Sequence, residues 1–134
     1  MTKSDDGFLA PSSIDCRAAF QGQFASLTAP QLGAAAISAA VEQSTMKGGD
    51  FNEAIVGCVL PTGLAQAPAR QAVLAAGLLA SLPSTTINKV CGSGMKAVML
   101  AHDQILAGVT DVALAGGMES MTNAPYLLPK ARGG

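Results

Sequence analysis

A cysteine stands where a strand-like segment of the sequence passes into a helix-like one. Cys91 follows the β-branched segment 85–90, and a helical pattern begins at Gly92. At such a junction the sulfur atom faces the unpaired N–H groups and the positive end of the helix, and both favour the thiolate over the thiol. Because the thiolate is the nucleophilic form, this placement predicts covalent catalysis by Cys91.

The start of a helix activates a cysteine only in part. It contributes about 0.3 to 1 kcal/mol, which leaves much of a thiol protonated at neutral pH, and histidine is the usual base that removes the proton. His102 is the single histidine of the sequence and lies eleven residues along the same predicted helix, roughly 16 Å up its axis. It shares its helix face with apolar residues, so we expect a packing role. The base for Cys91 is therefore expected from another polypeptide or from sequence outside this chain.

Position alone leaves a second interpretation open, in which Cys91 is a buried and unreactive thiol. Gly92 and Gly94 favour the nucleophile, because glycine lets a bulky substrate approach the backbone. Cys58 lies inside an apolar strand and is expected in the core, and Cys16 is expected to be structural or incidental. The three cysteines have no metal-binding spacing and form an odd set, so neither a metal site nor a disulfide framework is predicted.

The composition limits the kinds of partner. With 134 residues the chain is long enough for one domain with a core, yet only 13% of its residues are charged and 49% are hydrophobic. It is either an alanine-rich α/β domain or a domain whose surface is partly covered by a partner or by further sequence. A net charge of −1 without a basic run excludes nucleic acid as the expected partner.

The sequence also bears on location. No apolar run reaches the roughly 18 to 20 residues that span a bilayer, so no membrane association is expected. The acidic N-terminus lacks the apolar stretch of a secretory signal and the arginines of a mitochondrial transit peptide. A reducing, cytoplasmic compartment is therefore predicted.

Helical and strand-like segments alternate along the sequence. Helices are predicted at 30–44, 68–80 and 92–107, and strands at 54–60, 85–90 and 111–115, with a weakly indicated strand at 14–20. This alternation predicts a mostly parallel sheet covered by helices, in which chemistry sits at the carboxyl ends of strands. Cys91, Gly63 and the segment 116–119 each follow a strand, so their loops are expected to converge.

Three separate stretches resemble one enzyme family. The stretch at 88–97 reads NKVCGSGMKA and closely resembles the acyl-enzyme cysteine motif of the thiolases, the acetyl-CoA acetyltransferases and 3-ketoacyl-CoA thiolases. GLAQAPARQ at 63–71 and AGGMESM at 115–121, followed by APYLL, also resemble that family and stand in the same order. The resemblance runs from about residue 20 to 134. It implies a thiolase-like layered α-β-α fold with a mostly parallel mixed sheet, present as an incomplete N-terminal half.

The resemblance also implies a chemistry. Cys91 would be the catalytic residue that attacks the thioester of an acyl-CoA or 3-ketoacyl-CoA and holds the acyl group, and its backbone N–H would form part of an oxyanion hole. Coenzyme A thioesters and free CoA would be substrates, with no separate cofactor and no metal. Segment 85–90 would lie at the two-fold axis of a homo-oligomer, and a complementing thiolase C-terminal half is the other implied partner.

The sequence departs from the thiolase pattern at both ends. It stops where thiolases continue into a loop region that covers CoA and a second half, which carries the activating histidine and a second cysteine. The first strand and turn of the family are shortened and altered at 14–22. We expect an irregular or disordered stretch at 1–13, a half-domain at 14–117 and the truncated start of a loop region at 118–134. By itself the chain is expected to be inactive.

Three functions follow from these observations. The first is an acyltransferase of the thiolase family, which makes or cleaves 3-ketoacyl-CoA through an acyl-cysteine intermediate. The alternative is a non-catalytic thiolase-like module for assembly or dimerisation that keeps the cysteine motif. A third is another enzyme of the superfamily, such as a ketoacyl synthase, which the MESM stretch at 118–121 disfavours.

Overall fold

Helices and strands alternate along residues 18–133, which the computed structural model describes. The elements are, in order, α1 (Ala29–Gln43), β1 (Glu53–Gly57), α2 (Pro68–Ala75), β2 (Ser84–Ile87), α3 (Ser93–Leu106) and β3 (Ala113–Gly117). Short 3-10 turns occur at Gly48–Asp50, Met121–Asn123 and Ala131–Gly133. All of the strongly predicted helices and strands are therefore present, with different ends.

The three strands form one parallel sheet in the order β2-β1-β3. In its register Ile55 of β1 lies between Thr85 of β2 and Ala115 of β3. Because β2 and β3 flank β1 on opposite sides, right-handed crossovers place α2 and α3 on opposite faces of the sheet. The contacts agree: α2 packs on β1 and β2, α3 packs on β1 and β3, and α1 packs on α2. The predicted layered α/β architecture is confirmed.

The core has one part on each face of the sheet. Ile55 points to the α3 side, where it packs against Ala97 and Ala101. Its neighbours Ala54 and Val56 point to the other side and join the larger cluster formed with α1 and α2. The alternation is the period of two of a β-strand, and both faces are apolar because helices cover both.

The predicted C-terminal ends of the second helix and of the first strand are wrong, and the structure shows why. The second helix ends at Ala75 rather than at residue 80, because Gly77 adopts a φ of +79° that a right-handed helix cannot contain. The first strand ends at Gly57 rather than at residue 60, because the N–H groups of Val59 and Leu60 bind a carboxylate instead of a neighbouring strand. Gly108, with a φ of +69°, does end the third helix as predicted.

The structure tests only part of what was predicted for the N-terminal residues. The irregular stretch 1–13, Cys16 and most of the weak strand at 14–20 lie outside the described residues. Residues 18–20 are not a strand, since the chain turns there and the Gly22 N–H donates to the Ala19 carbonyl at 2.8 Å. Among the helices of residues 18–133, none has the length and apolar character needed to cross a membrane.

Candidate active site

Cys91 lies between the end of β2 and the start of α3, at the carboxyl edge of the sheet. Its side chain is exposed. The junction predicted from the sequence is therefore present, and the burial assumed by the unreactive-thiol interpretation is not found. Exposure gives a substrate access to the sulfur atom, whereas the role of Cys91 as a nucleophile stays a prediction.

The residue before Cys91 has an unusual backbone conformation. Val90 adopts a φ of +48°, which is an outlier for a β-branched residue and costs on the order of 1 to 3 kcal/mol. Two nearby contacts hold this turn: the Val90 N–H donates to the Asn88 side-chain oxygen at 2.9 Å, and the Gly92 N–H donates to the Lys89 carbonyl at 3.1 Å. The strained turn directs the chain from β2 into α3 within a few residues.

Glycines bring the start of α3 against the ends of two strands. A Cβ atom on Gly57, the last residue of β1, would lie 2.6 Å from the carbonyl carbon and Cβ of Ser93 and 2.7 Å from the Gly94 nitrogen. A Cβ on Gly117, the last residue of β3, would lie 3.0 Å from the Gly94 Cα. Only glycine allows backbone to approach backbone this closely. The distance of Cys91 from the sheet is therefore set by the contact between the backbone of α3 and the backbone at the ends of β1 and β3.

A carboxylate joins the loops that follow β1 and β3. Glu119 accepts the N–H groups of Val59 at 2.7 Å and Leu60 at 3.2 Å. From the third loop, the Asn88 side-chain amide donates to the Val59 carbonyl at 3.1 Å. The loops after all three strands thus meet at Val59, as their predicted convergence required. Glu119 acts here as a hydrogen-bond anchor between loops.

Cys58 has the opposite surroundings to Cys91. It is 1% exposed, and its sulfur atom lies 3.9 Å from a carboxylate oxygen of Glu119. Burial, and after it the negative charge of Glu119, raise the pKa of the Cys58 thiol to about 11. Cys58 therefore stays protonated at neutral pH, in agreement with its predicted place in the core.

These surroundings predict selective alkylation of Cys91 over Cys58. Limiting iodoacetamide at pH 7.5 is expected to label Cys91 at least about tenfold faster than Cys58, because only a thiolate that the reagent can reach reacts. Peptide mapping by mass spectrometry measures each site separately, Cys16 included. Denaturant should abolish the difference, and faster labelling of Cys58 in the folded protein would contradict the assignment.

His102 lies in the second half of α3, far from the turn that carries Cys91. Its side chain is 42% exposed and its Nδ1 lies 3.4 Å from the carboxylate of Asp103. The packing role predicted for His102 therefore holds only in part. Within residues 18–133 no group of three or more His, Cys, Asp and Glu side chains could hold a metal ion.

The sequence is similar to proteins of one family. Residues 14–134 match the family model described as "Thiolase, N-terminal domain". The acetyl-CoA acetyltransferase of Cupriavidus necator is 51% identical over 115 residues, 86% of this chain and 29% of the relative. The mitochondrial acetyl-CoA acetyltransferase of Xenopus tropicalis is 52% identical over 111 residues, 83% of this chain and 26% of the relative.

A solved structure has the same fold. It is the Acat5 thiolase from Ascaris suum in complex with coenzyme A, which superposes with a TM-score of 0.81 at 38% sequence identity. The match covers 84% of this chain and 29% of that chain. This chain thus spans less than a third of the length of the relatives it matches.

Proposed function

Because this chain belongs to the thiolase family, we propose that it is the nucleophile-bearing part of an acyl-CoA C-acyltransferase. The observation that carries the proposal is the exposed Cys91 thiol at the start of α3, above the carboxyl ends of the strands. Two further findings support it: relatives at about 50% identity are named acetyl-CoA acetyltransferases, and the Ascaris suum thiolase is described in complex with coenzyme A.

The proposed reaction starts with an acyl transfer. The Cys91 thiolate attacks the carbonyl carbon of an acyl-CoA thioester, and the backbone N–H of Cys91 helps to stabilise the oxyanion. The bond between carbon and the CoA sulfur then breaks, so CoA leaves as a thiolate that takes up a proton, and the acyl group stays on Cys91. The α-carbon of a second acyl-CoA loses a proton to a base and attacks the acyl carbon, and the bond from that carbon to the Cys91 sulfur breaks. This step releases 3-ketoacyl-CoA and frees the Cys91 thiolate, and the reverse reaction cleaves 3-ketoacyl-CoA.

Further groups are needed for the complete cycle. The chain has one histidine, placed along α3 from Cys91, so a base for the thiol and for the α-carbon proton has to come from elsewhere. We assign this supply to a complementing thiolase C-terminal half or to another copy in a homo-oligomer, and the chain alone is expected to complete no full cycle. A cytoplasmic location remains part of the proposal, although some relatives are named mitochondrial.

A non-catalytic assembly module is the second candidate. One observation favours it: large apolar side chains on the outer face of α3 are exposed, namely Met95, Met99 and Leu106. Such a face is typical of an interaction surface. A module of this kind would keep the fold and the exposed face without forming an acyl-cysteine.

The two functions differ in whether Cys91 takes up an acyl group. Prolonged incubation with acetyl-CoA is expected to add one acetyl group, detected by intact mass and located on Cys91 by peptide mapping, because an exposed thiol can complete the first half-reaction slowly without the missing base. Cys91→Ser should lose the thioester adduct, whereas Cys58→Ser should keep it. Absence of the adduct from the folded wild-type protein would favour the assembly module.

A further inference from the structure

A buried hydroxyl lies directly beneath the turn that carries Cys91. Ser93, the first residue of α3, is 4% exposed. Its hydroxyl oxygen accepts the N–H of Lys89 at 2.8 Å and its hydroxyl proton is donated to the Val90 carbonyl at 2.6 Å. The backbone N–H of Ser93 donates to the same carbonyl at 3.1 Å. Ser93 therefore binds the peptide group between Asn88 and Lys89 and the one between the strained Val90 and Cys91.

The hydrogen bonds that Ser93 donates to the Val90 carbonyl also fix the direction of the backbone N–H of Cys91. A trans peptide unit is planar, so the carbonyl of one residue and the N–H of the next point in opposite directions. Two donors from Ser93 turn the Val90 carbonyl towards the start of α3, and the N–H of Cys91 consequently points away from it. With its φ of +48°, Val90 lies in a region that β-branched residues avoid, so the turn needs such restraints to persist.

We propose that Ser93 is a positioning residue for acyl transfer: its hydroxyl orients the backbone N–H of Cys91 that stabilises the oxyanion. The inference rests on the proposed function, since an oxyanion forms only when Cys91 is acylated. The side chain at this position must also be small, because the Ser93 Cβ fills the space that a Cβ on Gly57 would occupy. A serine is the smallest side chain that supplies both the acceptor and the donor.

Ser93→Ala is the direct test, with p-nitrophenyl acetate and acetyl-CoA as acyl donors and iodoacetamide as a probe that forms no oxyanion. We expect acetylation of Cys91 by either donor to fall about 10- to 100-fold, since a misplaced donor weakens oxyanion stabilisation. Alkylation of Cys91 should change less than about threefold, because attack on iodoacetamide develops no oxyanion. Cys58 should remain unlabelled, which reports that the core is intact.

Two further variants complete the comparison. Ser93→Thr keeps the hydroxyl but adds a methyl group in the tight space beside Gly57, so acetylation by p-nitrophenyl acetate is expected to recover in part and to exceed that of Ser93→Ala. Ser120→Ala is the matched control, because the Ser120 hydroxyl also binds a backbone carbonyl, that of Leu27 at 2.8 Å, but in the loop after β3. Its acetylation rate should match that of the wild-type protein.

The outcomes separate this inference from the proposed function. Wild-type acetylation in Ser93→Ala, or an equal fall in acetylation and alkylation, would overturn the positioning role. If Cys58 becomes labelled, the rates are measured again in trimethylamine N-oxide, which strengthens burial, at a concentration that restores its protection. Acetylation of the wild-type protein by p-nitrophenyl acetate but not by acetyl-CoA would reject the proposed function and leave the inference about Ser93 intact.

Discussion

Gly57→Ala is expected to lower the free energy of unfolding by about 3 kcal/mol and to abolish acetylation of Cys91. The new methyl group would meet backbone atoms of Ser93 and Gly94 at 2.6 and 2.7 Å, and backbone cannot move aside as a flexible side chain can. Overpacking of this kind costs about 1 to 3 kcal/mol, and relief requires that α3 lift from the sheet. Cys91 would move with the helix.

The matched control for this variant is Gly116→Ala. Gly116 lies in the neighbouring strand β3 and pairs with Val56, but a Cβ there would meet nothing within 4 Å. We expect its free energy of unfolding to stay within about 0.5 kcal/mol of the wild-type value. Urea unfolding followed by circular dichroism measures both variants, and equal stabilities would refute the role of the close approach at Gly57.

Glu119→Ala is expected to lower the free energy of unfolding by about 2 kcal/mol. The substitution leaves the half-buried N–H of Val59 and the exposed N–H of Leu60 without their acceptor, and a buried group that loses its partner costs about 1 to 3 kcal/mol. Glu119→Gln keeps a side-chain oxygen as acceptor, so a smaller loss is expected. Urea unfolding at pH 7 compares the two variants, and equal losses would show that the carboxylate is not simply an acceptor.

The substitutions of Glu119 also change how the free energy of unfolding depends on alkaline pH, because Glu119 helps to raise the pKa of Cys58. Below pH 9 its thiol is protonated in the folded and the unfolded chain alike. Between pH 9 and 11 the unfolded chain loses this proton while the folded chain keeps it, because folding raises the pKa of Cys58 from 9.0 to about 11. The free energy of unfolding therefore falls as the pH rises, by about 2 to 3 kcal/mol across this window. In Glu119→Gln one cause of the raised pKa is absent, so the fall should be smaller, and in Cys58→Ala this contribution should disappear.

Local sequence patterns predicted most of the framework. The β-branched residues before Cys91 and the helical pattern after it placed the cysteine at the correct junction, because both patterns depend on neighbours along the chain. The same holds for Gly108 at the end of α3. These features need no knowledge of distant partners.

Contacts between distant residues could not be predicted in the same way. β1 ends early because Glu119, about sixty positions further on, binds the N–H groups that a longer strand would use. Ser93 gave no signal as a positioning residue, since a serine at a helix start is common and its two partners are defined only once Val90 is in place. Its position directly after Cys91-Gly92 was the one available hint.

The backbone contacts of Gly57, Gly94 and Gly117 set a lower limit on how much chain the site requires. These residues come from β1, α3 and the end of β3, and the contacts among them form only when all three elements are packed together. A short peptide with the cysteine motif lacks both strand ends that support the first turn of the helix. Grafting the thiol onto another scaffold would therefore require transferring the whole segment from β1 to the loop after β3, with its glycines, and not the motif by itself.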